Sequence, residues 1–202
     1  MARGQSDVVA VVILVAVTLA LGLALFAYAV SQQSWLASER ARVSYLSLVS
    51  SSIDLVLVYA SSSGDQACMI VEVVNMGQSE LYITIAVVPG ALTETGASVS
   101  QGALARLAIL KSVDGLIQVP PCPSQPEPPG WIDLSRVATA EGYTLGEAGV
   151  PSTLAPAASL LLKPGASRTL YVEAPKGPVT IAIIAYINNT PHLASARVYV
   201  TG

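Results

Sequence analysis

The stretch between Asp7 and Glu39 constrains the fold more than any other feature, because the 31 residues 8–38 contain no charged side chain. Residues 8–30 (VVAVVILVAVTLALGLALFAYAV) are almost wholly aliphatic. As a helix, these 23 residues would be about 35 Å long, enough to cross a hydrocarbon core of about 30 Å. The apolar part of a secretory signal peptide is only about 7–15 residues long and precedes a small-residue cleavage site, which does not follow here. The run therefore predicts a membrane-spanning helix, and a single-pass anchor is its simplest interpretation.

Helical periodicity continues beyond the length that a membrane needs. No proline or glycine interrupts residues 23–63, and Gly64 is a natural stop. Spacings of three, four and seven residues place one set of apolar side chains on a single helical face: Leu36, Val43, Leu46, Val49 and Ile53. We therefore expect one long N-terminal helix over residues 5–63, whose part from about residue 7 to about residue 61 would be near 80 Å long. A helix of this length is longer than a single-pass membrane anchor requires.

Short β-type runs separated by turn residues follow Gly64. Examples are 67–74 (ACMIVEVV), 81–88 (LYITIAVV) and 179–187 (VTIAIIAYI), with turn signals such as Pro164-Gly165 between such runs. Five to nine short strands with such turns are typical of an antiparallel β-sandwich. We therefore predict an α+β chain with a long N-terminal α-helix, hydrophobic and then amphipathic, followed by an immunoglobulin-like β-sandwich head over residues 64–202.

The residues before the apolar run carry a resemblance to a known family. A short basic leader ending in Arg3-Gly4, followed by Gln5, Ser6 and Asp7 and then the apolar helix, resembles the class III signal peptide of archaeal type IV pilins, which are related to archaellins. The resemblance implies that a prepilin peptidase cuts after Gly4, so that residues 1–4 are the leader and Gln5 is the mature N-terminus. Arg3 also fits the positive-inside rule, which places everything after the helix outside the cell.

The resemblance implies a structural subunit that is inserted in the cytoplasmic membrane as a precursor. The assembly machinery would then build it, with copies of itself, into a helical surface filament, most simply an adhesive pilus. Residues expected to pack helices together in the filament core are Val8, Val12, Ala16, Leu19, Ala20, Gly22, Leu23, Ala24, Phe26 and Ala27. Bacterial type IV pilins carry a glutamate at the fifth mature position, where this chain has Val9. We hypothesise that Asp7 instead pairs with the N-terminus of a neighbouring subunit.

Two alternatives remain open from the sequence. An archaellin of a motility filament is the nearest, but the usual archaellin opening after the leader glycine is absent. The other is a membrane-anchored extracellular binding module that never polymerises. We do not expect an enzyme or a cofactor, because the sequence has no catalytic motif and a single histidine, His192, expected in a surface turn. A net charge of −3 gives no basic surface for nucleic acid.

Two covalent features depend on export. Outside the cell, Cys68 and Cys122 are permitted to form a disulfide, which would stabilise by about 4 kcal/mol in the chain-entropy model. Two free buried cysteines are the alternative. Asn188-Asn189-Thr190 is an N-glycosylation sequon in an expected strand connection, with Asn188 as the acceptor.

Overall fold

The computed structural model describes the backbone of residues 3–93, 96–99, 105–110 and 130–201. Side chains are described for the same residues except 3–8, 63, 93 and 96–99. The chain divides into two compact units, Met1–Val43 and Ser44–Gly202. The first unit is helical in its described part, and the second, which we call the head, contains every described strand.

Helix α1 spans Arg3–Ser52. Long aliphatic and alanine side chains lose little rotamer freedom in a helix, and Gly22 is the only glycine between residues 5 and 52. The last nine residues of α1, 44–52, belong to the head. There, Leu46 and Val49 are buried in the main hydrophobic core, so the end of this helix is a structural part of the head.

The prediction of a helix over residues 5–63 is wrong at its C-terminal end. Strand β1, Ile53–Ser63, follows directly on α1, so the head begins before residue 64. Ile53 and Leu55 are buried while Val56 is exposed, an inside–outside alternation typical of a strand. The apolar residues of this segment also fit a helical face, and no glycine or proline marks the change. Pairing with strand β2 decides between helix and strand for this segment, because the local sequence favours neither.

The described part of the head contains ten strands, all paired antiparallel, and one short 3₁₀ helix, Leu134–Arg136. After β1 the strands are β2 Gln66–Asn75, β3 Leu81–Thr93, β4 Gly96–Val99, β5 Arg106–Leu110, β6 Trp131–Asp133, β7 Leu154–Leu162, β8 Ser167–Pro175, β9 Gly177–Ile187 and β10 Thr190–Thr201. One sheet has four strands in the order β1-β2-β8-β5. The other has six, in the order β10-β9-β3-β7-β6, with β4 paired to β3.

These two sheets confirm the predicted α+β architecture with a β-sandwich head. Their spatial order matches an immunoglobulin sandwich. The sheet β1-β2-β8-β5 corresponds to the immunoglobulin strands A-B-E-D, and β10-β9-β3 corresponds to G-F-C. Strands β7 and β6 extend the second sheet beyond the C position, as additional strands do in variable-type domains. The chain order differs, because β5, at the D position, precedes β6 and β7, which extend the other sheet beyond the C position. The head is therefore immunoglobulin-like in strand arrangement and different in connection.

Aliphatic side chains from both sheets form the main core, in which Met69, Ile83, Leu107, Leu170 and Ile181 are among the buried residues. A second core lies on the other face of the six-stranded sheet, where Leu134, Leu145 and Val150 cover it. That sheet is therefore buried on both faces along much of its length. This explains why β9 reads as a nearly continuous apolar run in place of an alternating one.

Candidate assembly surface on the N-terminal helix

The apolar run at the start of α1 is exposed along its whole described length. Every residue from 9 to 30 is exposed, from Val9 at one end to Val30 at the other. Among the described helices, α1 alone is long and apolar enough to cross a membrane. Water contact is unfavourable by about 25 cal/mol for each Å² of apolar surface, so this surface requires an apolar environment that the described part of the chain does not supply.

The polar side chains within the run bond inside the helix. The hydroxyl of Thr18 donates to the carbonyl oxygens of Leu14, at 3.0 Å, and Val15, at 2.9 Å. The hydroxyl of Tyr28 accepts from Nε2 of Gln32 at 3.1 Å. Because an unsatisfied polar group costs several kcal/mol in hydrocarbon, these internal bonds suit a surface that leaves water.

Small side chains open one face of the run to close approach. Ala16, Ala20, Ala24 and Ala27 are separated by four, four and three residues, which places them on one face of the helix. On another face, a Cβ added at Gly22 would meet no atom within 4 Å. Contacts with the described residues therefore do not require a glycine at position 22, whereas a neighbouring helix could use the small residues of the run to pack closely.

The larger residues predicted to pack in a filament core are also exposed: Val12, Leu19, Leu23 and Phe26. The side chain of Val8 lies outside the described residues, as do those of Arg3, Gln5 and Asp7. The backbone of all four, and of Gly4, is helical. Leader cleavage and the pairing of Asp7 with a neighbouring N-terminus therefore stay predictions.

The chemistry of α1 changes after Val30. Residues 31–34 are Ser-Gln-Gln-Ser, and exposed Trp35 follows them. The first described charges come next, where Nη2 of Arg42 lies 2.6 Å from Oε2 of Glu39. Aromatic residues are enriched at membrane interfaces, so the sequence of apolar run, polar segment, tryptophan and ion pair suits a helix that leaves a bilayer near residue 30.

The surroundings of Cys68 in the head combine residues from three strands. Cys68 is disulfide-bonded, and Cys122, the only other cysteine in the sequence, lies outside the described residues. The hydroxyl of Tyr171 donates to Sγ of Cys68 at 3.1 Å. Burial raises the pKa of Tyr171 to about 12, the nearby charge of Glu173 adds to the shift, and Arg106 opposes it.

Sequence reasoning missed this cluster. Arg106 lies 3.8 Å from Glu173 across the β5–β8 pair, and Glu173 lies opposite Cys68 across the β8–β2 pair. No spacing in the sequence reports these neighbours, because strand pairing alone brings the three positions together. The cysteine count was the single signal available.

Two further predictions concern β9, β10 and the turn between them. Asn188 and Asn189 are exposed and have positive φ angles, 50° and 64°, which a two-residue type I′ hairpin turn requires. Glycosylation of Asn188 stays a prediction. His192 lies on β10, is only 5% exposed and forms a parallel bridge with Ala138. The expectation of a surface position for His192 is therefore wrong.

Among the described residues, no group of three or more histidine, cysteine, aspartate or glutamate side chains could hold a metal ion. We therefore take the exposed apolar run of α1 as the candidate functional surface. No family model and no curated protein sequence matches this chain.

Proposed function

We propose that this chain is the structural subunit of an archaeal type IV-like surface filament, an adhesive pilus that polymerises through α1. The observation that carries the proposal is the fully exposed apolar run 9–30 joined in one helix to a folded β-sandwich head. A helix of this kind is stable in lipid as a monomer. After leaving the membrane it needs apolar partners, and identical helices around an axis supply them.

The energetics favour such a bundle. At about 25 cal/mol per Å², burial of the run yields tens of kcal/mol before the costs of association. The contact between neighbouring helices is heterologous, because one copy uses a different surface from the next. Heterologous contacts whose rotation does not close into a ring produce helical filaments. The alanine face from Ala16 to Ala27 supports close approach between helices.

Two observations support export of the head. Disulfides persist in oxidising environments, and Cys68 is disulfide-bonded. The leader resemblance at Arg3, Gly4 and Gln5 implies processing at the membrane with the helix retained. Adhesion is favoured over motility because the archaellin opening is absent from this sequence.

Electron microscopy of cell-surface fibres, combined with N-terminal sequencing of the full chain, tests the proposal. Helical filaments with a core of packed helices and an N-terminus at Gln5 are the expected result. Monomers that need detergent and begin at Met1 or Ala2 would instead identify a membrane-anchored binding module and overturn the pilin proposal.

A further inference from the structure

Four side chains at the surface of the head form a row across the six-stranded sheet. Strand pairing places Tyr186 opposite Pro191 and Tyr82 opposite Leu161. The rings of Tyr82 and Tyr186, on adjacent strands, have centroids 6.3 Å apart and are tilted by 45°. The row therefore crosses the neighbouring strands β10, β9, β3 and β7 in that order. We call these four residues the tyrosine row.

The tyrosine row is open in the single chain. It lies on the outer face of the six-stranded sheet, because Ile83 and Ala185, the chain neighbours of the two tyrosines, face the main core. Tyr82 and Leu161 are 52% and 57% exposed. Among the described residues, neither tyrosine hydroxyl of the row has a hydrogen-bond partner. The row therefore offers apolar grooves between its side chains and two hydroxyl donors.

A proline-rich segment of the same sequence has a matching period. Prolines occupy every third position from 120 to 129, at Pro120, Pro123, Pro126 and Pro129. These residues lie outside the described part of the chain, and their sequence predicts a polyproline II helix. Such a helix has three residues per turn, so prolines three positions apart share one face.

The spacing of these prolines fits the spacing of the row. One turn of a polyproline II helix advances about 9.3 Å, at 3.1 Å for each residue. Neighbouring strands are about 4.8 Å apart, so two strands measure about 9.6 Å. Two successive prolines on one face would therefore meet the groove between Pro191 and Tyr186 and the groove between Tyr82 and Leu161.

The chemistry of the row also suits this ligand. Proline-rich segments dock in aromatic-lined grooves, because the extended helix is already formed and loses little entropy on binding. A polyproline II helix has no internal hydrogen bonds, so its carbonyl oxygens can accept from the hydroxyls of Tyr82 and Tyr186. We propose that the tyrosine row binds the proline-rich segment 123–129 of a second copy of this chain.

In its own chain, the segment is held at both ends away from the row. At one end Pro123 follows Cys122, whose disulfide partner Cys68 lies on the four-stranded sheet. At the other end the carbonyl oxygen of Gly130 accepts from the amide of Ala157 on β7 at 2.9 Å. Seven residues join these two anchors on different sheets, and the row stays exposed. Because one sequence contains both the surface and its ligand, the partner is another copy.

The test places the photoreactive residue p-benzoylphenylalanine at Leu161 in the full chain, in detergent micelles. After irradiation we expect a cross-linked dimer whose attachment site, identified by mass spectrometry, lies in residues 123–129. Pro126→Ala should lower the yield of this dimer about tenfold, because it removes the central ring of the docked face. Pro128→Ala is the matched control, since position 128 is off that face and its loss should leave the yield unchanged.

Three outcomes would overturn the proposal. They are attachment to α1 or to another segment of the head, equal yields in the Pro126→Ala and unchanged chains, and equal losses in Pro126→Ala and Pro128→Ala. On the other side of the contact, Tyr186→Ala should lower the yield as Pro126→Ala does. If Tyr186→Ala does not fold by circular dichroism, Pro126→Ala decides.

Two further positions of the photoreactive residue separate this contact from other association. Val200 is 80% exposed on β10, and the residue placed there should give no dimer attached at 123–129. Placed at Leu19, it reports contacts between helices. The proposed contact uses the head alone, so a failure of helix-driven assembly is read independently of the result at Leu161.

Discussion

Replacing Leu19 by arginine should weaken membrane insertion without harming the head. Leu19 is the central residue of the run 8–30, with 63% of its surface exposed. On the insertion scale, leucine contributes about −0.5 kcal/mol at a helix centre and arginine about +3, a difference of about 3–4 kcal/mol. This corresponds to a change of about 10²–10³-fold in the insertion equilibrium. The head should keep its stability, because Leu19 is outside both of its cores.

The assay is carbonate extraction of membranes from cells that express each chain, followed by counting of surface filaments. Leu154→Arg is the matched control, because Leu154 has a similar exposure, 65%, but lies on β7 of the head. We expect a larger fraction of Leu19→Arg than of the unchanged chain to be extracted and fewer filaments to form, and we expect Leu154→Arg to behave as the unchanged chain in extraction. Extraction and filament counts for Leu19→Arg equal to those of the unchanged chain would refute the assignment of this run as the membrane and assembly surface, as would equal extraction of both variants.

Three further predictions concern the head. Leu46→Ala should lower the free energy of unfolding by about 2–5 kcal/mol, since Leu46 is 3% exposed, whereas Leu48→Ala, at 43% exposure on the same helix, should change it by about 0.5 kcal/mol or less. Equal effects in urea denaturation would contradict the burial of the helix end in the head core. A Cβ at Gly77 would lie 2.5 Å from Oγ and 2.7 Å from Cβ of Ser52, so Gly77→Ala should cost about 1–3 kcal/mol and Ser52→Gly should recover part of that loss in the double variant. Strictly additive unfolding energies would exclude this clash. The folded-state pKa of Tyr171, about 12, exceeds its ordinary value of 10.0, so the unfolded state loses the Tyr171 proton at lower pH than the folded state. The contribution of Tyr171 to the free energy of unfolding is therefore complete below pH 10 and lost between about pH 10 and 12. Tyr171→Phe should remove that part of the alkaline loss of stability, and an unchanged pH profile would refute the assignment.

The N-terminal helix and the class of the head followed from local patterns. A run of 31 uncharged residues permits few structures, because exposed backbone in an apolar environment must bond within its own segment. Short apolar runs separated by turn residues similarly favour a β-sandwich. In the β9–β10 hairpin, Asn188 and Asn189 supply the positive φ angles that the turn requires.

The end of α1 could not be predicted in the same way. Residues 53–63 contain leucine and valine at positions that satisfy both a helical face and a strand. The choice depends on hydrogen bonds to β2 and on burial of Ile53 and Leu55 in the core. Both are tertiary contacts that a local pattern does not report.

The sequence alone therefore determined that this chain has an uncharged membrane-length helix and a β-rich head, because both depend on local composition and periodicity. The tertiary structure decided which strands are neighbours. Strand β10 pairs with β9 and brings Arg197 to Asp54, which lies 143 positions earlier in the chain. Similarly, Ala138 pairs with His192 and helps to bury this histidine. Such contacts depend on packing between distant segments, for which a single sequence carries no local signal.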